Sequence, residues 1–352
     1  MRLTTIVVLL LAALPLAAAD PILSQDFQQG TSGWNAIGAG SEVHSANGSL
    51  VFTYTASPSG ARSVLYLPLA QLPMPELQSI RFELSTDVPM PVALLLSEKK
   101  PGGANYSAVV WSAGPHEQSV VLSPDDFAVS DGPTDPVDPD HKLDLDQVEA
   151  LAVIDLGQMF SAAASGAGQM HIQPHEGPHS IAIRNFRLLR DPLPASEPGV
   201  VDDFSRPTPT WFSPSGATFE QSKGTLTIRY HQLPDEFMAF VRQFPARDYK
   251  GATHLSVNIS SLHAAQLVIS IAERRINGKA APRFNIDFLV FGGGRPDYRE
   301  VDLSAFQVDE NGPLSAKGSL DPANIQSISI IDVSGDSADN TLTLNDLRLF
   351  HH

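Results

Sequence analysis

The sequence predicts an all-β protein built from two tandem antiparallel β-sandwich domains. Three observations carry this. A set of segments recurs in the same order in both halves, the segments are short and several alternate apolar with polar residues, and turn-formers rather than long amphipathic helices separate them.

The repeat opens at Asp26-Phe27 and Trp34, which return as Asp203-Phe204 and Trp211 at one offset of 177 residues. Gly48-Ser-Leu-Val-Phe52 then parallels Gly224-Thr-Leu-Thr-Ile228, and Ile80-Arg-Phe-Glu-Leu-Ser85 parallels Leu255-Ser-Val-Asn-Ile-Ser260. Leu94-Leu-Leu-Ser-Glu-Lys-Lys100 matches Ile269-Ser-Ile-Ala-Glu-Arg-Arg275, and Val120 to Phe127 matches Glu300 to Phe306. Leu151-Ala-Val-Ile-Asp-Leu156 matches Ile328-Ser-Ile-Ile-Asp-Val333, and the closing segments are 180–189 and 340–349. No single match is strong, but an ordered series is hard to obtain by chance. Matched Trp34 and Trp211 are expected to define the fold rather than a ligand site.

Alternation is clearest in Leu226-Thr-Ile-Arg-Tyr230 and Leu342-Thr-Leu-Asn345, where a period of two sends one set of side chains to a core and the other to solvent. Ala46-Asn-Gly48 and Pro101-Gly-Gly103 supply turns. Many short strands with such punctuation indicate a sandwich or jelly roll. The Pro-rich stretch Asp191 to Gly199 is expected to be a semi-rigid linker. The division is therefore a signal peptide at 1–19, a first sandwich at 20–190, the linker at 191–199 and a second sandwich at 200–352. Two modules on such a linker would engage one ligand together.

Arg2, the apolar run Ile6 to Leu16 and Ala17-Ala-Ala19 read as a cleaved export signal with Asp20 as the first mature residue. A secreted or periplasmic location follows, with no membrane span in the mature form. The chain contains no cysteine, which excludes disulfides, thiolate metal sites and cysteine nucleophiles. The formal charge of −16 becomes −17 once Arg2 is removed. So acidic a surface repels nucleic acid and anionic lipid and suits a neutral or cationic ligand or divalent cations.

Each copy resembles the galactose-binding-like jelly roll, the sandwich of many non-catalytic carbohydrate-binding modules and of the complex I intermediate-associated protein 30 family. The likeness rests on the opening Asp-Phe followed by Trp, the late strand ending in Ile-Asp, and closing strands with Asn-Phe-Arg-Leu or Asn-Asp-Leu-Arg-Leu. It implies a polysaccharide or oligosaccharide ligand on a concave sheet face or at loop tips. It also implies a structural calcium ion pinning first strand to last, at Asp26 with Asn185 and at Asp203 with Asp346. The second copy has a carboxylate at both positions and is the better expectation.

The polar residues of the second copy add a candidate face. Thr227, Arg229 and His231 alternate with apolar residues in one segment, and Arg283, Asn285 and Asp287 do so in another. If these strands share a sheet, Arg229, His231, Arg283, Asn285 and Asp287 line one side, with Phe237 or Tyr298 as aromatic neighbours. The alternative is a solvated sandwich face. In the first copy the equivalent segment is Tyr106 to Trp111, with Ser107, Val109 and Trp111 on one side. Trp111 is either a stacking platform or a core residue. His171, His175 and His179 are spaced by four, but Pro174, Gly177 and Pro178 exclude a helix, leaving a loop in which transition-metal binding stays open. The six aspartates of 131–146 read as a solvated acidic loop or a weak calcium site.

No Gly-x-Ser-x-Gly elbow occurs, and Gly292-Gly-Gly294 lacks a following phosphate-binding helix. The sequons at Asn47, Asn105 and Asn258 carry meaning only in a eukaryotic secretory pathway. The expectation is thus a non-catalytic carbohydrate-binding protein. The alternatives are an assembly scaffold with a protein partner, or a jelly-roll glycan hydrolase or lyase.

Overall fold

The computed structural model describes residues 20–352 except 58–61, 100–102, 131–134, 137, 139, 164–167, 246, 248, 275–281 and 310–318. The expected export signal lies outside the described residues, as do Asp131 and part of the turn at 101–103. Among the described residues no helix is long and apolar enough to cross a membrane.

Among the described residues four six-stranded sheets form two sandwich-like units, and their strands pair antiparallel. Each unit has a terminal sheet, which contains its first and last strands, and a medial sheet. In the first unit the terminal sheet runs Glu42–Ala46, Ser49–Ala56, Gly177–Leu189, Ser79–Thr86, Gln118–Leu122, and Leu23–Gln25 adds onto Gly177–Leu189. In the second it runs Thr218–Ser222, Thr225–Gln232, Ala338–Phe350, His254–Ser261, Asp297–Asp302, and Val200–Asp202 adds onto Ala338–Phe350. The medial sheets correspond equally well. One is Ala128–Val129, Asn105–Ser112, Met90–Glu98, Val148–Asp155, Val64–Pro68, Asn35–Ile37. The other is Gln307–Val308, Arg283–Val290, Ala265–Glu273, Ile325–Asp332, Met238–Gln243, Trp211–Phe212.

Alternating apolar residues from both sheets fill each core. Leu50, Phe52 and Tyr54 face Leu94, Leu96 and Val153 in the first unit; Leu226, Ile228 and Tyr230 face Ile269, Ile271 and Ile330 in the second. A hydrogen bond crosses each core at the same place. The Tyr54 hydroxyl donates to Asp155 at 2.8 Å, and the Tyr230 hydroxyl donates to Asp332 at 2.6 Å. Burial, then the adjacent carboxylate, pushes both phenols well above their ordinary range. The two tryptophans are core residues, as expected. The Trp34 indole donates to Gln25 at 2.7 Å and the Trp211 indole to Asp202 at 3.2 Å, where Arg242 supplies a countercharge at 2.8 Å.

Residues 191–199, expected as a linker, carry no strand or helix. The units are nonetheless not independent modules. The core of the second extends to Ala93, Val109 and Trp111 of the first. Gln243 donates to the Ser107 hydroxyl at 3.0 Å, Gln326 to the Val129 carbonyl at 2.8 Å, and Arg206 pairs with the buried Asp126. The reason lies in the strands Met90–Glu98 and Asn105–Ser112, which are buried on nearly every residue, so the medial sheet of the first unit is covered on both faces.

Candidate ligand-binding face

The strand Arg283–Val290 carries Phe284 and Val290 into the core and turns Arg283, Asn285, Asp287 and Leu289 outward. The alternation continues into Phe291, which is 73% exposed, beside Leu289 at 61%. The glycine trio sets where this strand ends. The Gly293 and Gly294 amides donate to the Leu262 and Ser261 carbonyls, each at 2.8 Å, and both glycines have positive φ. A Cβ at Gly292 would lie 2.8 Å from the Ala264 nitrogen, so only glycine permits this approach. The trio therefore anchors a turn and presents Phe291 to solvent; it does not cradle phosphate.

Register places a polar band across the same face. Gln307, Asn285, Ser270 and Ser329 are successive cross-strand partners, so they lie in one row about 14 Å long. Asp287 pairs with Val268, which pairs with Ile331, giving a less polar row beside it. Among the described residues the buried Asn285 side-chain oxygen has no hydrogen-bond partner. A buried acceptor left unsatisfied is costly, and it is an acceptor a hydroxyl-bearing ligand or water would meet.

The expected five-residue face does not form. Arg229 and His231 lie on Thr225–Gln232 in the terminal sheet, whereas Arg283, Asn285 and Asp287 lie in the medial sheet. Alternation specifies a side within a strand but not which sheet the strand joins. Arg229 pairs with Glu220 at 2.9 Å and His231 meets Asp339 at 2.8 Å, both exposed side-chain contacts on a solvated face. Of the two aromatic candidates, Tyr298 is on the terminal sheet, and Phe237 bonds the backbone of residues 169–171 of the first unit. Neither joins the band; Phe291, six residues beyond Asn285, continues the outward side of the same strand, and alternation past Val290 is the signal for it.

Trp111 is not a platform on an open face either. It is 4% exposed, its ring lies 5.0 Å from Phe219, and its amide donates to the Pro209 carbonyl at 2.9 Å. It belongs to the core of the other unit.

The expected calcium positions fit the ion poorly. Asp346 is paired with Arg348 at 2.6 Å, and Asp203 accepts from the Ser205 amide and hydroxyl. Partial burial raises the Asp203 carboxyl, but these Ser205 bonds outweigh it and leave it below its ordinary value. In the first copy Asp26 accepts from the Gln28 amide and the Asn185 amide donates to Glu83. Among the described residues no group of three or more His, Asp or Glu is arranged to hold a metal. The three histidines have separate partners: His171 with Glu236, His175 with Asp155 and His179 with Asp87. The acidic stretch is not simply solvated, because Asp138 is buried and accepts from the Tyr106 hydroxyl. Burial raises its carboxyl above the ordinary range.

Sequence comparison finds no matching protein family and no matching curated protein. Solved structures with a similar fold include a family 11 carbohydrate-binding module from Clostridium thermocellum in complex with a β-1,3-1,4-mixed-linked tetrasaccharide. It is 20% identical over 44% of this chain and 95% of its own, with a TM-score of 0.36. A tandem family 22 carbohydrate-binding domain from Paenibacillus barcinonensis is 12% identical over 95% of this chain and 98% of its own, with a TM-score of 0.33. An agarase, 15% identical with a TM-score of 0.34, matches over 44% of this chain and 26% of its own. At these values the likenesses carry no argument about ligand or activity, and the sandwich fold stands on the sheets themselves.

Proposed function

We propose that this is an exported, non-catalytic carbohydrate-binding protein whose ligand lies on the outer face of the medial sheet of the second unit. The carrying observation is the polar row of Gln307, Asn285, Ser270 and Ser329, in which Gln307 is exposed and Ser270 buried, on a strand that also turns the exposed Arg283, Asp287 and Leu289 outward and leads into the exposed Phe291. A sugar asks for this mixture: planar amide, guanidinium and carboxylate groups for hydroxyls, and an apolar surface for the C–H face of the ring. Glycoside cleavage asks for two carboxyls about 5–9.5 Å apart, one of them with a raised pKa. Asp287 instead faces Val268 and then Ile331. Of the acids that burial raises, Glu98 and Glu273 are occupied by backbone amides, and Asp138 by the Tyr106 hydroxyl and the Asp140 amide.

Affinity electrophoresis against neutral polysaccharides of β-glucan, xylan and agarose type tests this. The wild type is expected to be retarded by at least one. The double variant Arg283→Ala/Asp287→Ala is expected to lose retardation with little change in melting temperature. Retardation by none, or equal retardation of the variant, overturns the proposal. The exposed Leu289 and Phe291 favour a second reading, a protein partner on the same face; Phe291→Ser would then abolish a pull-down that free oligosaccharide does not compete.

A further inference from the structure

The two units differ most after their matched Ile-Asp strands. In the second, five residues separate Asp332 from the last strand; in the first, 21 residues separate Asp155 from Gly177. The extra chain forms the short helix Gly157–Ala163 and then an arm that grips the second unit. The His171 amide donates to the Phe237 carbonyl and the Phe237 amide to the Gln169 carbonyl, at 2.9 and 2.8 Å. The Gln173 amide donates to Pro214 at 2.7 Å, and His171 meets Glu236 at 2.6 Å.

Beneath this arm lies a cavity of about 250 Å³. Trp111, Phe160, Gln173 and His175 line it from the first unit, and Ser213 and Thr218 from the second. Two glycines in its wall hold polar groups in place. A Cβ at Gly157 would fall 2.5 Å from the His175 ring, and one at Gly216 would fall 2.7 Å from the Gln173 side-chain oxygen. Gly216 also has φ of +78°. His175 is fixed from behind by Asp155 at 2.5 Å, whose other oxygen accepts the Gly157 amide at 2.7 Å. Among the described residues the buried indole N–H of Trp111 has no hydrogen-bond partner.

We infer that this inter-unit cavity is a second binding site, for a single neutral sugar ring. Among the described residues the lining contains no Asp, Glu, Lys or Arg, so the cavity has no carboxylate, ammonium or guanidinium of its own to offer an ion. Trp111 and Phe160 give it apolar faces, and the indole N–H, the Gln173 amide and the Thr218 hydroxyl give it polar groups to meet hydroxyls. Its volume is below that of a pocket for drug-sized molecules, about 300 Å³ or more, and suits one ring rather than a chain. The site is separate from the exposed face of the second unit.

Saturation-transfer NMR with a panel of neutral monosaccharides, and a uronic acid as the charged control, tests the inference on the intact chain. A neutral sugar is expected to bind and to alter Trp111 emission, since Trp34 and Trp211 are buried and already hydrogen-bonded. Trp111→Phe keeps a ring and deletes the N–H, so it should weaken binding about tenfold. Gln173→Ala should weaken it similarly and serves if the first variant fails to fold. Arg283→Ala/Asp287→Ala should leave monosaccharide binding intact while abolishing polysaccharide retardation, which separates this site from the open face. No saturation of any neutral monosaccharide, preference for the uronic acid, or unchanged affinity in Gln173→Ala overturns the inference.

Discussion

The outer faces of the two medial sheets occupy the same place in the same fold and have opposite fates. Cross-strand register equates Ser107 with Asn285, Val109 with Asp287 and Trp111 with Leu289, because Asn105 pairs with Ser97 as Arg283 pairs with Ala272. On the neighbouring strand it equates Leu95 with Ser270. One face is mostly apolar and buried against the other unit; on the other, Asp287 and Leu289 are exposed and only Ser270 of this set is buried. The two units thus present equivalent surfaces, of which one is an interface and the other faces solvent.

Exchanging residues between the faces is the most direct way to break this comparison. Val109→Asp places the residue of the open face into the buried one, where a carboxylate finds no partner. It should cost about 3 kcal/mol or more and split calorimetric unfolding into two transitions. A single transition of near wild-type midpoint would show that the units do not depend on this contact.

A smaller effect separates the matched acids Glu98 and Glu273 from the ligand face. Burial raises Glu273, with the Asp321 amide only partly opposing it, and burial likewise raises Glu98. A carboxyl whose folded pKa lies above its unfolded value binds more protons when folded. Its stabilising contribution is therefore greatest below the ordinary glutamate range and is lost as pH rises through the raised value. Melting temperatures across that window should favour the wild type over Glu273→Gln increasingly as pH falls; a constant difference would show that Glu273 does not titrate in this way.

The smallest effect on stability belongs to the reverse exchange. Asp287→Val should change unfolding free energy by no more than about 0.5 kcal/mol yet weaken polysaccharide retardation. If it stabilises the chain markedly and leaves retardation intact, the open face is only a solvated surface.

Much of this was legible in the amino-acid sequence, because alternation and turn residues act locally. The repeat mapped onto strands that occupy equivalent places, down to the Ile-Asp segments whose carboxylates bind Tyr54 and Tyr230. What stayed hidden depends on contacts between distant segments. Nothing in Thr225–Gln232 states that it joins the terminal sheet, so alternation alone groups Arg229 and His231 with Arg283. The covering of Trp111 had a signal: Met90-Pro-Val-Ala-Leu-Leu-Leu96 and Tyr106-Ser-Ala-Val-Val-Trp111 do not alternate, as befits strands buried on both sides. The arm at 168–176 had little signal, since its grip is mostly through backbone groups.

In each unit the entering strand lies beside the leaving one: Leu23–Gln25 against Gly177–Leu189, and Val200–Asp202 against Ala338–Phe350. A unit whose ends emerge side by side can be copied or spliced as a block without rethreading its neighbours. The same layout makes the junction a natural place to cut and rejoin the gene. A circularly permuted chain that begins at 200 and places the first unit last would keep every sheet intact, and only the path between the units would have to be rebuilt.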